Sequence, residues 1–354
     1  MLPSQFRGLL RQVAVTLAAL VGALLTLCLL AFVWVLLTSK TPEPIRRTTE
    51  RDRALPAKEI DGFRFHLETH GDPARPVIVV LHGGPGNDYR YLLPLRALSD
   101  QYYVIFYDQR GSGLSPRVSD DELTLDRFVA DLDAIGRTFS PSEPILLIGH
   151  SWGAMLATAY LARYPERVSH AVLAEPGFLT PKLGDRFLGE LDRRTKIGPA
   201  ALSAALHAGA RALKLPGASA EPDARIDHFV TDMSAYSGAG NPIAGYFCQQ
   251  KMARAKLESW RLGARAMTTM LGQAVDEQDH VVLDLSVGVE RFPREVLLIA
   301  GACNEIIGPE VQAQHRLLFQ KARLEVIPNA GHTMFGERPD ESLAIIRRYF
   351  AQAP

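Results

Sequence analysis

Cysteine is scarce in this chain, and the sequence carries no net charge. The 354 residues include three cysteines, Cys28, Cys248 and Cys303. These are too few and too scattered for a disulfide framework, and none forms a CxxC pair, so a metal site is not indicated. Lys and Arg total 39, as do Asp and Glu, so no overall field attracts nucleic acid, and no basic run interleaved with aromatics indicates a strand-binding groove. We therefore expect no nucleic-acid partner.

Charge is also missing from one long segment near the N-terminus. Residues 13–37, VAVTLAALVGALLTLCLLAFVWVLL, contain 25 residues without a charge, enough to cross a hydrocarbon layer of roughly 30 Å as a helix. A cleaved signal peptide is the alternative, but the run is longer than a usual signal core, and the LLTSK that follows has no small-x-small cleavage site. We predict an N-terminal tail (1–12) followed by a single transmembrane anchor (13–37).

The orientation of this anchor is not set by its flanks, because basic residues stand on both sides of it. Large folded domains translocate largely regardless of flanking charge, and an N-terminal apolar segment acts as an export signal. We therefore expect an extracytoplasmic domain after the span.

Beyond a Pro- and Arg-rich linker (38–56), short apolar runs alternate with helical patterns. Several runs, such as VIVVLH and VLLIAG, are continuously apolar, as strands buried on both faces of a parallel sheet are. This alternation predicts an α/β fold with a doubly wound, mostly parallel sheet, formed by residues 57–177 and 293–354. Residues 178–292 show helical spacing without a convincing strand, which indicates an inserted α-helical cap.

The sequence ILLIGHSWGAMLATAYLA places Ser151 between a buried strand and a helix. The pattern Gly-His-Ser-Trp-Gly in this context is typical of a nucleophile elbow, where a side chain at either glycine would clash. Upstream, HGGPG (82–86) follows another buried strand. An acyl-transfer site needs two N–H groups aimed at an oxyanion, and those of Gly84 and Trp152 are the natural candidates.

His332 lies in a short loop near the C-terminus, in the sequence LEVIPNAGHTMF. A histidine between the last strand and the last helix can reach the nucleophile, accept its proton and return it to the leaving group.

Four segments in this order, HGGPG, DQRGSG, GHSWG and AGH, resemble the proline iminopeptidase group of α/β-hydrolases over roughly residues 63–350. The resemblance implies an α/β-hydrolase fold with a helical cap after the sixth strand, and a serine, acid and histidine triad that needs no cofactor. It also implies an acid three residues after the glycine that closes the seventh strand. Counting from Gly301, that position holds Asn304.

Three residues could therefore orient His332. Glu175 ends the strand that follows the nucleophile helix, so its carboxylate is expected at the active edge of the sheet, as in hydrolases whose acid follows the sixth strand. Glu305 and a neutral Asn304 are the alternatives, although an amide in this role stabilises the wrong imidazole tautomer. Glu175 is our first choice.

The sequence thus predicts a membrane-anchored serine hydrolase that cleaves a small amide or ester through an acyl-enzyme on Ser151. The expected partners are a small-molecule or short-peptide substrate and the membrane. The family's amine-binding glutamates are not reproduced convincingly in YFCQQKMARAKLESW, where Glu258 is the nearest candidate. The alternative is a catalytically silent binding protein on the same scaffold.

Overall fold

An eight-stranded sheet forms the centre of the protein in the computed structural model, which describes residues 4–221, 223–235, 241–248 and 259–352. The spatial order is β1-β2-β4-β3-β5-β6-β7-β8, with antiparallel pairing at β1–β2 and β2–β4 and parallel pairing elsewhere. The strands are β1 Ala57–Ile60, β2 Phe63–His70, β3 Val77–Leu81, β4 Tyr103–Tyr107, β5 Ile145–His150, β6 Val168–Ala174, β7 Val296–Gly301 and β8 Ala322–Ile327. The predicted α/β-hydrolase fold is confirmed.

The central strands are apolar throughout because both faces of the sheet are covered. In β3, Val79 and Leu81 belong to the core on one face, and Ile78 and Val80 belong to the core on the other. All five residues of β3 are buried. Continuous apolar runs are therefore the signature of burial on both faces, as the sequence indicated.

Helices surround the sheet and separate its parallel strands. They are α1 Ser4–Thr38, α2 Leu125–Phe139, α3 Trp152–Arg163, α4 Pro181–Arg194, α5 Pro199–Leu213, α6 Ala224–Ser234, α7 Ala264–Gln273, α8 Pro309–Arg316, α9 Met334–Glu337 and α10 Pro339–Phe350. Four of them, α4 to α7, fall between β6 and β7. We refer to this inserted region as the cap.

Helix α1 is long, apolar and mostly uncovered by the rest of the protein. Its segment Val13–Thr38 has a mean hydropathy of 2.8, with 6% of its most apolar stretch buried. Its C-terminal end contacts α5. There Val35 and Ser39 are buried, and Lys214 donates to the carbonyl of Ser39 at 2.7 Å. By length and composition this helix fits a membrane span or a signal sequence.

The segment predicted as a linker, 38–56, packs against the folded domain. Thr49 is buried and its N–H donates to the carbonyl of Leu114 at 2.8 Å. The buried guanidinium of Arg261 in the cap donates to the carbonyl of Arg46 at 3.0 Å. The segment that follows α1 is therefore held by both core and cap.

One disulfide corrects the cysteine analysis. Cys248 of the cap is bonded to Cys303, directly after β7, and Cys28 in α1 is a free cysteine. The two bonded residues are 55 positions apart, so sequence spacing gave no sign of the pair. The bond joins the cap to the loop that carries Asn304.

Candidate active site

Ser151 occupies the sharp turn between β5 and α3. Its backbone has φ 55° and ψ −121°, a conformation that a non-glycine residue rarely adopts and that marks functional turns. A Cβ at Gly149 would lie 2.5 Å from the carbonyl oxygen of Gly153, and a Cβ at Gly153 would collide with the carbonyl of Leu81. The two glycines therefore have the steric role expected of a nucleophile elbow.

The loop after β3 lies directly against this turn. A Cβ at Gly83 would lie 2.9 Å from the Cβ of Ser151. The N–H of Gly83 already donates to the hydroxyl of Tyr91 at 2.8 Å, which leaves Gly84 as the loop's better oxyanion donor. Trp152 is the first residue of α3, and the first N–H groups of a helix have no partner within the helix. Gly84 and Trp152 remain our candidates for the two oxyanion donors.

His332 and Glu175 are in direct contact. The Nδ1 atom of His332 lies 2.6 Å from a carboxylate oxygen of Glu175, and both residues are buried. The N–H of Glu175 is bonded to the carbonyl of Ile299 in β7, and its φ is 45°. The backbone bond to β7 places Glu175 next to His332. Both residues lie at the edge of the sheet where Ser151 also lies.

Asn304 contacts Glu175 rather than His332. Its side-chain oxygen accepts from the N–H groups of Ile306 and Ile307 at 2.9 and 3.1 Å, which fixes the orientation of the amide. Its NH₂ group then donates to Glu175 at 2.7 Å, on the same oxygen that faces His332. Asn304 therefore stabilises the carboxylate from the position where the resemblance implies an acid.

The other oxygen of Glu175 accepts from the N–H of Gly301 at 2.8 Å. Burial raises the pKa of Glu175 to about 8. The hydrogen bonds from Gly301 and Asn304 favour the carboxylate and lower this pKa, but burial has the larger effect. Burial also lowers the pKa of His332 to about 3, because the imidazolium loses its hydration. Both shifts show that the pair lies in a strongly desolvated site.

Glu305 points away from this pair. Its side chain is 52% exposed and lies 3.1 Å from the guanidinium of Arg194 in the cap. The sequence analysis gave three candidates for orienting His332. Among the contacts of the described residues, only Glu175 of these three has an oxygen at hydrogen-bond distance from His332.

A chain of hydrogen bonds that the sequence analysis missed joins the two loops of the site. The hydroxyl of Tyr91, which accepts from Gly83, lies 2.7 Å from Nδ1 of His150. Nε2 of His150 lies 2.7 Å from the carbonyl of His332. A carbonyl only accepts, so Nε2 carries the proton of His150, and Nδ1 accepts from Tyr91. Burial lowers the pKa of His150 well below its usual value, in accord with a neutral ring.

His150 could have been noticed because it precedes Ser151 in the elbow. Tyr91 had no sequence signal of this kind, since it lies in a 3₁₀ helix (Arg90–Asp100) after the glycine-rich loop. Tyr246 was also missed. Its ring stacks on His332 at 4.4 Å, and its carbonyl accepts from the N–H of His332 at 2.7 Å.

The DQRGSG segment has a structural role. The Arg110 guanidinium donates twice to Asp131, at 2.8 Å each, in a buried pair. Asp108 lies 2.7 Å from His66 and accepts from the N–H of Leu114 at 2.7 Å. These contacts fix the rim of the sheet beside the site.

A cavity of about 370 Å³ opens between the sheet edge and the cap, and Ser151 and His332 line it. Its cap wall is apolar. Among the described residues none of the lining side chains is acidic, and those from the cap and its flanks are Phe178, Phe187, Leu188, Leu191, Ile243, Tyr246, Phe247, Leu271, Ala274, Val275 and Val281. Glu258 lies outside the described residues. The cavity fits an apolar group bound next to Ser151.

Comparison with known proteins agrees with this architecture. The model of the α/β hydrolase fold family matches residues 76–339. A proline iminopeptidase of Heyndrickxia coagulans is 28% identical over 282 residues, which cover 76% of this chain and 88% of that protein.

Two solved structures share the fold. Proline iminopeptidase of Mycobacterium smegmatis superposes with a TM-score of 0.57 at 20% identity, over 84% of this chain and 98% of that one. A membrane phospholipase A superposes with a TM-score of 0.59 at 17% identity, over 98% of this chain and 99% of that one. This chain therefore belongs to the α/β hydrolase fold family and is a hydrolase with proline iminopeptidases among its relatives.

Proposed function

We propose that this protein is a membrane-anchored serine hydrolase that cleaves esters of apolar acyl groups through an acyl-enzyme on Ser151. One observation carries the proposal: the Glu175–His332 pair and the strained turn of Ser151 meet at one apolar cavity. The anchor is α1, whose apolar segment Val13–Thr38 is long enough to span a bilayer.

In this mechanism Ser151 attacks the carbonyl carbon of the ester while Nε2 of His332 accepts the serine proton. The N–H groups of Gly84 and Trp152 stabilise the resulting oxyanion. His332 then gives the proton to the departing alcohol, and the acyl group stays on Ser151. Water, activated in the same way, releases the acid.

Glu175 supports both proton transfers by holding the ring. Its carboxylate accepts from Nδ1–H of His332, which leaves Nε2 as the basic nitrogen and stabilises the imidazolium as it forms. Asn304 and Gly301 stabilise the carboxylate form of Glu175 by donating to it.

The apolar cavity favours an ester over a peptide. A free amino terminus needs an acidic partner in a desolvated site, and the described lining residues offer none. An acyl chain, in contrast, gains free energy from burial against leucine and phenylalanine side chains.

An iminopeptidase is the second candidate, because the relative from Heyndrickxia coagulans carries that name over 76% of this chain. Purified full-length protein should be assayed with nitrophenyl esters of graded chain length and with proline arylamide. We expect ester hydrolysis to predominate. Faster cleavage of proline arylamide would reverse the assignment.

Fluorophosphonate labelling tests the nucleophile directly. The parent protein should be labelled and the Ser151→Ala variant should not. Folded parent protein that resists the probe would favour a silent binding protein, and labelling that survives Ser151→Ala would place the nucleophile elsewhere.

We further propose that the hydrolase domain lies outside the cytoplasm. The Cys248–Cys303 disulfide supports this location, because disulfides persist mainly in oxidising compartments.

A further inference from the structure

Helix α5 of the cap presents three leucines to solvent on one side. Leu202, Leu206 and Leu213 are 56%, 36% and 54% exposed. At 3.6 residues per turn they fall within about 40° of one another around the helix. Ile197, in the turn before α5, is 88% exposed. We call these four residues the α5 face; none of them lines the substrate cavity.

The α5 face lies beside the end of the apolar helix α1. Helix α5 contacts α1, and Lys214, directly after α5, donates to the carbonyl of Ser39 at 2.7 Å. Val35, inside the apolar segment Val13–Thr38, is buried there. If α1 spans a bilayer, a helix packed on its last apolar turns lies at the boundary between acyl chains and headgroups.

The charges around the α5 face match a lipid surface. From residue 195 to residue 220 the sequence contains Lys196, Arg211 and Lys214 and no acidic residue. Lys196, next to Ile197, is exposed. Arg211, in contrast, pairs with Asp232 of α6 at 2.6 Å, and Lys214 donates to Ser39. Basic side chains flanking an apolar helix face are the pattern of a helix that lies in the plane of an interface and binds anionic headgroups.

From these observations, and resting on the membrane anchor proposed above, we propose that the α5 face inserts into the bilayer surface and holds the cap on the membrane. The occupant of the face is lipid, because the helix that carries it packs against α1, whose apolar segment Val13–Thr38 is mostly exposed. Helix α4, which leads into Ile197, also supplies Phe187, Leu188 and Leu191 to the cavity wall. The cavity would then receive an acyl ester directly from the membrane.

Depth-dependent fluorescence quenching tests the insertion. In full-length protein carrying Cys28→Ser, which removes the free cysteine, a label is attached through Leu206→Cys or through Leu317→Cys. Leu317 is a matched control, because it is 75% exposed and lies before β8, at the sheet edge opposite the cap. In vesicles of anionic phospholipid with spin-labelled acyl chains, we expect strong quenching at position 206 and little at position 317.

Equal quenching at the two positions, or none at position 206, would overturn the proposal. Self-quenching between labelled copies in detergent, without quenching by lipid, would assign the face to a second copy of the chain. Extraction of the same vesicles with alkaline carbonate separates failure of the anchor from failure of the face. Release of the protein would contradict the anchor, whereas retention without quenching at position 206 would contradict the face alone.

An activity measurement adds a functional readout. In the Leu202→Asp/Leu206→Asp double variant we expect hydrolysis of a long-chain ester embedded in vesicles to fall by about tenfold or more, since two buried leucines stabilise membrane contact by more than about 1.4 kcal/mol. Hydrolysis of a short soluble ester should not change, and Leu317→Asp should affect neither rate. Parent-like rates of the double variant on vesicles would contradict the proposal.

Discussion

At the scale of residues, Asn304 is the substitution that defines this site. It stands where the resemblance implies the acid, and it donates to Glu175, which directly follows the neighbouring strand β6. The amide presents its NH₂ group to Glu175 because two backbone N–H groups occupy its oxygen. If Glu175 is the acid of the site, the carboxylate follows β6 instead of β7, and Asn304 after β7 stabilises it.

Glu175→Gln should lower turnover by about 10³- to 10⁴-fold, because an NH₂ group facing Nδ1 donates to it and selects the imidazole tautomer with the proton on Nε2, and because a neutral amide does not stabilise the imidazolium. Steady-state kinetics on one soluble ester measures this loss. Glu305→Gln is the matched control, since its carboxylate pairs with Arg194 and its rate should stay near that of the parent. A large loss in the control alone would return the acid to the seventh strand.

Asn304→Ala should move the pH dependence of kcat/KM to higher pH. The active pair needs the carboxylate form of Glu175, whose pKa is raised to about 8 by burial, so activity rises with pH through that value. The hydrogen bond from Asn304 favours the charged carboxylate, and its loss raises the pKa further.

The profile is measured between pH 5 and about pH 10 for the parent, Asn304→Ala and Glu305→Gln. We expect the pH profile of Glu305→Gln to coincide with that of the parent protein. An unshifted or acid-shifted profile in Asn304→Ala would show that Asn304 does not act through Glu175.

Tyr91→Phe should reduce kcat by about tenfold with little change in KM. The variant removes the hydroxyl that accepts from Gly83 and donates to His150. Each of these two buried hydrogen bonds contributes about 0.5–1.5 kcal/mol, and a loss of about 1.4 kcal/mol in the transition state is a tenfold change in rate. Tyr102→Phe is a control, because Tyr102 lies beyond the same 3₁₀ helix, at Phe350 and away from the cavity. A change in KM alone would indicate a substrate contact instead of loop positioning.

At the scale of elements, the strands and the helices around them could be predicted from sequence because burial on both faces leaves continuous apolar runs. The position of Ser151 followed for the same reason: a strand, a glycine-flanked turn and a helix are contiguous in the chain. Contacts between segments that are distant in the chain produce no such pattern in the sequence. The stacking of Tyr246 on His332 and the Cys248–Cys303 bond depend on how the cap folds back over the sheet.

Helix α4 sets the depth of the cavity, because Leu188 and Leu191 lie on its inner wall. Leu188→Trp should therefore shift the preferred ester toward shorter acyl chains, since the larger ring fills space that the chain would occupy. The ratio of kcat/KM for long and short nitrophenyl esters measures this preference. Val287→Trp, at a position 72% exposed and outside the cavity, should leave the ratio unchanged. An unchanged ratio in Leu188→Trp would place the acyl chain elsewhere.

At the scale of the whole molecule, the disulfide and helix α1 together lead us to predict that the hydrolase domain lies in an oxidising compartment. Protein made in its native compartment, denatured without reductant, should show one reactive thiol, that of Cys28, and three after reduction. Alkylation followed by mass spectrometry counts them. Three free thiols before reduction would place the domain in a reducing compartment.

The contact between Glu175 and Asn304 also constrains how this site changes during evolution. Restoring an aspartate at position 304 while Glu175 remains would set two carboxylates against each other in a desolvated site, where like charges are strongly unfavourable. Losing Glu175 first would leave His332 without an acid. The two positions are therefore expected to covary among relatives, with Glu175 accompanied by an uncharged donor at 304, and an aspartate at 304 accompanied by a non-acidic residue at 175. A protein with only one of the two changes is expected to lose activity, and the second change is expected to restore it.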